Sequence, residues 1–147
     1  MYKHILLPTD GSPLSARATA AGVALAKLAG ARVTALFVAP PATPLVFEHF
    51  LPVRYMTPDD HAALIAREAA HALGAVEKAA RAAGVTCESM QVTGDYPADA
   101  IVATAARRKC DLIVMASHGR KGLEAMLLGS ETQKVLLHSK VPVLVHR

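Results

Sequence analysis

The sequence predicts a single-domain α/β protein in which a parallel sheet is covered by helices on both faces. Five short apolar runs alternate with four stretches of helical periodicity, which is the pattern of successive strand–helix–strand units. The apolar runs lack the regular polar alternation of half-exposed strands, so we expect them to be buried on both sides. At 147 residues the chain has the length of one domain with a substantial core.

The first strand and the first helix are expected near the start of the chain. Lys3 to Pro8 is a short apolar run, and Ser12 followed by Pro13 is a typical helix start. Gly30 is expected to end this helix, as a glycine just past the last turn commonly does. Apolar residues recur at alternating steps of four and three along this helix and predict its buried face: Leu14, Ala18, Ala21, Leu25 and Leu28.

A long connection separates the second strand from the second helix. The strand is Arg32 to Val38, and Ala39 to Met56 follows as a proline-rich loop with clustered aromatic residues. A loop of this length is expected either to act as a lid or dimer contact or to be a variable connection. Thr57 then caps the second helix and Gly84 ends it. The apolar stripe predicted for this helix is Ile65, Ala69, Leu73, Val76 and Ala80.

The third strand is predicted at Val85 to Val92, and Gly94 to Pro97 turns the chain into a short third helix. Three cations, Arg107, Arg108 and Lys109, end that helix, where positive charge is favoured by the helix dipole. A nucleic-acid-binding patch is the alternative interpretation of these cations. The residues expected to be buried in this helix are Ile101, Val102 and Ala105.

The last third of the chain supplies two more strands and one helix. Asp111 to Met115 is almost continuously apolar and predicts the fourth strand. Ser130 to Gln133 reads S-E-T-Q and matches a capping box, so the last helix is expected to begin there and to run to about Ser139. The fifth strand is Val141 to His146. Because Pro142 cannot donate a ladder hydrogen bond, this strand is predicted at an edge of the sheet.

Composition narrows the class of protein. Hydrophobic residues make up 52% of the chain, which excludes a disordered segment, and no apolar run is long enough to span a membrane. A net charge of +4 with 4% aromatic residues and no Trp does not indicate a nucleic-acid-binding surface. No signal-peptide pattern is present, and Cys87 and Cys110 do not form a disulfide framework. We therefore expect a cytoplasmic protein.

The glycine-rich stretch from Ala116 to Ser130 is the candidate functional segment. It follows the fourth strand and leads into the last helix, where α/β proteins hold phosphate on free backbone N–H groups. Gly119 permits close backbone approach, and Gly129 with Ser130 opens the helix. The alternative is that the glycines only form turns and Ser130 only caps the helix. Thr9 to Ser12, after the first strand, would share the same crevice if the two strands are neighbours.

The spacing and the surrounding motifs resemble the universal stress protein family. Gly119, nine intervening residues and then Gly129-Ser130 are similar to the family's nucleotide-binding signature, G-x-x-G, nine residues, then G followed by Ser or Thr. The resemblance extends through I-L-L-P-T-D-G-S, D-L-I-V-M-A-S-H-G, L-L-G-S-E-T-Q-K-V-L and V-P-V-L-V. The chain departs from the signature at Ala116, where its first glycine is expected. This departure weakens binding if the position requires a positive φ or the closest backbone approach.

The resemblance implies a Rossmann-like, doubly wound sheet of strand order 3-2-1-4-5 and a site for ATP or a related adenine nucleotide, with or without Mg²⁺. It also implies a homodimer, for which pairing of the edge strand Val141 to His146 with its copy offers a route. Val38 would contact adenine through its backbone, and Glu131 is expected to point away from the phosphates. The site residues implied are Pro8, Thr9, Asp10, Val38, Met115, Ala116, His118, Gly119, Arg120, Gly122, Gly129, Ser130, Glu131 and Thr132.

Other chemistries lack their characteristic residues. The sequence has no H-x-x-x-H or C-x-x-C pair, so no metal site is predicted, and no G-x-x-x-x-G-K-[ST] loop of a P-loop ATPase. Gly119 to Gly122 matches the GXXG of an RNA-binding KH loop, but it follows a strand instead of joining two helices. Three functions stay open: an adenine-nucleotide-dependent regulatory module in the stress response, a nucleotide-free dimeric interaction module, and a weak ATPase.

Overall fold

The computed structural model describes residues 1–41, 45–48, 51–55, 57–119 and 128–147. Within these ranges strands and helices alternate, except that three consecutive strands precede the second helix. In chain order the elements are β1 (His4–Pro8), α1 (Pro13–Ala29), β2 (Arg32–Ala39), β3 (Leu45–Glu48), β4 (Leu51–Tyr55), α2 (Pro58–Ala83), β5 (Cys87–Thr93), α3 (Pro97–Arg108), β6 (Leu112–Ala116), α4 (Ser130–His138) and β7 (Val143–His146).

Five parallel strands form the central sheet in the order β5-β2-β1-β6-β7. Counting only these five strands along the chain gives the order 3-2-1-4-5, so the predicted topology is confirmed. β1 is central, with Ile5 opposite Val33 of β2 on one side and Leu112 of β6 on the other. The strand order therefore reverses at β1 and β6, and open α/β sheets bind ligands in the crevice beyond such a reversal.

Helices cover both faces of the sheet, as predicted. α1 and α2 pack with Ile5 and Leu7 of β1, whereas α3 and α4 pack with Leu6. The alternation arises because successive side chains of a strand point to opposite faces. All three side chains are fully buried. β1 is therefore held from both sides, and it supports the loop that follows it.

The predicted starts and ends of the first two helices are confirmed. The Ser12 hydroxyl accepts from the Ser15 N–H at 3.2 Å, and Gly30 closes α1 at φ 65°. Thr57 and Asp60 form a capping box at the start of α2, and Gly84 closes it at φ 72°. α2 is 26 residues long, yet neither it nor another helix in the described ranges is long and apolar enough to cross a membrane.

The apolar face predicted for α1 is wrong in part: Leu25 packs against the core, but Leu28 does not. Leu28 is 87% exposed, and of the five predicted residues Ala18 alone is fully in the core. A Cβ at Gly22 would overlap Cδ2 of Leu7, so α1 lies too close to β1 for larger side chains on the contact face. The buried face is built instead from Ser15, Ala18, Thr19, Gly22, Val23 and Ala26.

The loop predicted from Ala39 to Met56 is also wrong in part. Ala39 is the last residue of β2, and β3 and β4 pair antiparallel as a small sheet separate from the central one. Pro52 lies within β4, next to a shift of register between Val46 and Phe47. Proline in so short a strand favours a loop when the sequence is read alone. The aromatic side chains of this segment lie outside the described part of the structure, so the lid or dimer-contact role considered for them stays a prediction.

Two strands of the central sheet begin two residues later than predicted. The Val85 N–H donates to the Ala80 carbonyl at 2.9 Å, which makes Val85 part of the end of α2, and β5 begins at Cys87. β7 begins at Val143, so Pro142 precedes the strand instead of interrupting it. The edge position predicted for this strand is confirmed, because β6 is its one neighbour in the described sheet.

The capping box predicted at Ser130 is wrong. Gly129 is the N-cap of α4, Ser130 is the first helical residue, and no side chain caps this end. Gln133, expected to complete the box, donates from its side chain to the Leu128 carbonyl at 3.0 Å. Contacts with other elements position the first turn of α4, and a local capping motif does not encode such contacts.

Candidate functional site

Two polar loops meet at the edge of the sheet where its strand order reverses. β1 runs into Thr9, Asp10 and Gly11, and β6 runs into Ser117 and His118. Because β1 and β6 are adjacent and parallel, both loops leave the sheet at its carboxyl edge. The adjacency that the sequence left conditional is therefore present.

The loop after β1 is held by its own side chains. The Asp10 carboxylate accepts from the Ser12 N–H at 2.9 Å, and the Thr9 hydroxyl lies 3.1 Å from the Ser15 hydroxyl. Gly11 has φ 78°, a left-handed conformation that favours glycine. These bonds fix the direction in which the Asp10 side chain leaves the loop.

Gly119 and Asp10 lie against each other across the crevice. A Cβ at Gly119 would come within 2.6 Å of Oδ2 of Asp10. Position 119 favours glycine because a side chain there would collide with Asp10. Backbone conformation is not the reason, because φ of Gly119 lies outside the left-handed region. The loop after β6 thus presents bare backbone beside the Asp10 carboxylate, which suits a ligand that requires close backbone approach.

Gly129 brings the N-terminus of α4 onto the loop after β6. Its N–H donates to the Ser117 carbonyl at 2.7 Å, and a Cβ on Gly129 would lie 3.1 Å from Cβ and 3.2 Å from Cα of His118. The Thr132 hydroxyl adds a buried bond of 3.0 Å to the Ala116 carbonyl. The first N–H groups of α4 and the end of β6 are consequently parts of one rigid corner.

Ser117 lies inside the predicted candidate segment but is absent from the individual site residues predicted. It is 1% exposed, its N–H donates to the His146 carbonyl of β7 at 2.9 Å, and its carbonyl accepts from Gly129. Its peptide groups therefore connect the edge strand to the first turn of α4. The spacing of the glycines was the available signal for this role of Ser117. A glycine that lies against another backbone segment requires a backbone group opposite it, and for Gly129 that group is the Ser117 carbonyl.

Ala116 causes no backbone strain. It is the last residue of β6, pairs with His146 in register and is 7% exposed. Lys109 is the one non-glycine residue with positive φ in the described chain, so the position of the missing signature glycine has no left-handed requirement. A methyl group at this strand position is compatible with the local geometry.

His118 carries an unsatisfied polar atom into this corner. Nδ1 of its imidazole is buried and has no hydrogen-bond partner among the described residues. A buried ring nitrogen without a partner is costly unless a ligand or water completes it. His118 is thus suited to contact a polar group bound between the loop after β6 and α4.

Glu131 lies on the other side of the α4 N-terminus. Its Oε2 accepts from the Ala98 N–H at 2.8 Å, at the start of α3, and its Oε1 pairs with Lys134 at 3.0 Å. This carboxylate raises the pKa of the Lys134 ammonium group, because it stabilises the charged form by a direct hydrogen bond. Both oxygens of Glu131 are therefore engaged with protein groups on α3 and α4.

The remaining predicted site residues fall into two groups. Pro8 is the last residue of β1 and Val38 the last but one of β2, at the same edge of the sheet, and Val38 packs against the core cluster that contains Met115. Arg120 and Gly122 lie outside the described residues. No three His, Cys, Asp or Glu side chains in the described ranges lie close enough together to hold a metal ion.

The chain is similar to known proteins along its whole length. The model of the universal stress protein family matches residues 1–147. Universal stress protein MJ0531 of Methanocaldococcus jannaschii is 37% identical over 99% of this chain and 82% of its own length. The universal stress protein of Thermus aquaticus, encoded beside a sulfhydrylase gene, is 33% identical over the full length of both chains.

Solved structures agree with this relationship. Protein MJ0577, also from Methanocaldococcus jannaschii, has a TM-score of 0.81 and 31% identity over 99% of this chain and 95% of its own. A universal stress protein solved in complex with cAMP has a TM-score of 0.71 and 27% identity over 99% and 97% of the two chains. Family match, whole-length relatives and shared topology lead to one conclusion: this chain belongs to the universal stress protein family.

Proposed function

We propose that this chain binds an adenine nucleotide, ATP or a close relative, and acts in the cytoplasm as a nucleotide-dependent regulatory module of the stress response. The observation that carries the proposal is the corner formed by Asp10, Gly119 and Gly129. At the reversal of strand order, Gly119 lies against the Asp10 carboxylate, and Gly129 is the N-cap of α4 and lies against the loop after β6. The relative that was solved with cAMP supports an adenine nucleotide as the ligand class.

The residues of the corner divide naturally between the parts of a nucleotide. The N–H groups of Ser130 and the residues after it open α4, and a helix N-terminus favours phosphate. The Asp10 carboxylate would repel phosphate but accepts hydrogen bonds, so it suits a ribose hydroxyl or a base amine. The backbone of Val38, the last residue but one of β2, would contact the base. Mg²⁺ would enter with the phosphates of ATP.

The test is calorimetric titration with ATP and Mg²⁺, together with mass spectrometry of any nucleotide retained through purification. Gly119→Ala should weaken ATP binding by about tenfold or more, because its methyl group collides with Asp10. Gly94→Ala is the matched control, since its methyl group would meet only Cβ of Ala100 at 3.8 Å. No heat at millimolar ATP with the native chain would reject the proposal.

Gly129→Val separates loss of binding from loss of fold. The backbone of Gly129, at φ −68° and ψ 154°, is extended and is accessible to valine. The valine side chain would instead push α4 away from His118 and Ser117. We expect ATP binding to be abolished while the circular dichroism spectrum stays native. Undiminished ATP affinity in this variant would place the phosphates elsewhere.

A homodimer formed through β7 is a second proposal, compatible with the first. β7 has β6 as its one neighbour in the described sheet, and its Leu144 is 40% exposed. On the adjacent α4, Leu136 is 42% and Leu137 is 77% exposed. An edge strand beside exposed leucines is covered when it pairs with a second copy of itself. A nucleotide-free member of the family could act through this surface alone.

Light scattering at micromolar concentration tests the dimer. Leu144→Lys should shift the mass toward the monomer, because two lysines would oppose each other across the twofold axis. Leu28→Lys is the control, since Leu28 is 87% exposed on α1 and belongs to neither β7 nor α4. A monomeric mass for the native chain would refute the dimer.

A further inference from the structure

The first turn of α4 is attached to its surroundings at three points. Gly129 is bonded to Ser117, and Thr132 is bonded to the Ala116 carbonyl, so two attachments run to the end of β6. The third is the Glu131 carboxylate, which accepts from the Ala98 N–H of α3 at 2.8 Å. The first two attachments join α4 to the end of β6, and the third joins its first turn to a different element, α3.

The start of α3 has a reason to hold this carboxylate. Its N-cap is Tyr96, which makes no side-chain capping bond. Glu131 supplies the missing acceptor from another helix, and negative charge at a helix N-terminus is stabilised by the helix dipole. The bond is charge-assisted and part-buried, and it spans 33 residues of sequence. α3 therefore serves as a fixed anchor for the turn that contains Ser130.

We propose that Glu131 is a positioning residue of the phosphate site. By tying the first turn of α4 to α3, it fixes the direction of the N–H groups that the proposed function assigns to phosphate. Its own charge is directed to Ala98 and Lys134 and makes no contact with the nucleotide. This inference rests on the proposed nucleotide site and adds the residue that orients it.

The test compares ATP with adenosine, because adenosine lacks the phosphates that α4 would hold. Glu131→Ala should weaken ATP binding by about five- to tenfold and leave adenosine binding within about twofold. Glu131→Gln keeps an acceptor for Ala98 and should restore most of the ATP affinity. Lys134→Met is the control. The exposed salt bridge between Lys134 and Glu131 contributes little to stability, so the ratio of ATP affinity to adenosine affinity should change less than about twofold.

Each alternative has its own signature in this experiment. If Glu131 instead repels the phosphates, both Glu131→Ala and Glu131→Gln will tighten ATP binding, which overturns the proposal. If Glu131 only caps α3, Glu131→Ala will lower the melting temperature while the ATP-to-adenosine ratio stays constant, which also overturns it. If the native chain binds neither ATP nor adenosine, the proposed function itself is rejected. If the native chain binds both and Glu131→Ala leaves the ratio of the two affinities unchanged, only the role of Glu131 is rejected.

Discussion

The close contact between α1 and β1 at Gly22 and Leu7 supplies a stability prediction. Gly22 lies in the middle of α1 and faces Leu7, the residue before the end of β1, whose side chain has no exposed surface. A Cβ at position 22 would overlap Cδ2 of Leu7 and lie 3.4 Å from its Cγ and Cδ1. The fully packed surroundings prevent Leu7 from moving aside freely. Replacing Gly22 by Ala should therefore overpack this contact.

Two effects of opposite sign determine how much Gly22→Ala changes the free energy of unfolding. Glycine in a helix interior is less favourable than alanine by about 1 kcal/mol, so the substitution gains that amount in helix propensity. Overpacking a tight core costs about 1–3 kcal/mol. Gly22→Ala should therefore lower the free energy of unfolding by about 0–2 kcal/mol. Gly74→Ala in α2 is the matched control, because a Cβ there meets nothing within 4 Å, and it should stabilise the fold by about 1 kcal/mol.

Urea denaturation of the two variants measures the difference directly. The gap between them should be about 1–3 kcal/mol, since helix propensity cancels and only the contact with Leu7 remains. A double-mutant cycle isolates that contact: in a Leu7→Ala background, Gly22→Ala should become stabilising because the opposing Cδ atoms are gone. Equal stabilisation by Gly22→Ala and Gly74→Ala in the native background would refute the reasoning.

Three further predictions concern the strand ends and caps around the site. Thr132→Val removes the buried bond to the Ala116 carbonyl and should cost about 1 kcal/mol of unfolding free energy in urea, with ATP affinity reduced in parallel. Ser12→Ala removes the acceptor for the Ser15 N–H and should cost about 1 kcal/mol, measured by thermal melting. Burial lowers the pKa of the His4 imidazole, which is 4% exposed, so the unfolded chain binds a proton that the folded chain resists. The free energy of unfolding should therefore fall as the pH drops below about 6.5, by up to about 1.4 kcal/mol per pH unit until the pKa of the folded state is reached. In urea titrations between pH 7 and 5, His4→Gln should make the free energy of unfolding less dependent on pH.

Local signals were sufficient for the parts of the fold that depend on neighbouring residues. Ser12 with Pro13 and Thr57 with Asp60 are complete capping patterns within four residues, and both are present in the structure. The alternation of strands and helices was equally readable, because a buried parallel strand needs a continuous apolar run. The strand order came from family resemblance, since periodicity does not specify which strands are neighbours.

Where the sequence reading failed, a long-range contact had replaced the local rule. The leucines at 14, 25 and 28 suggest an apolar face, but the close approach of α1 to β1 requires the glycine and alanine face instead. At the start of α4, Gln133 and Glu131 bond to Leu128 and Ala98, so the capping motif is not formed. A motif of four residues has no information about a backbone donor 33 positions away.

The sequence by itself determined the fold class, the caps of the first two helices and the segments that reach the crevice, because each depends on residues that are close along the chain. Only the tertiary structure decided how those segments meet. It placed Gly119 against Asp10, joined Gly129 to the Ser117 carbonyl and turned Glu131 toward α3. The physical reason is that the site consists of backbone approaches between β1, β6 and α4, and such approaches exist only after the sheet has been assembled.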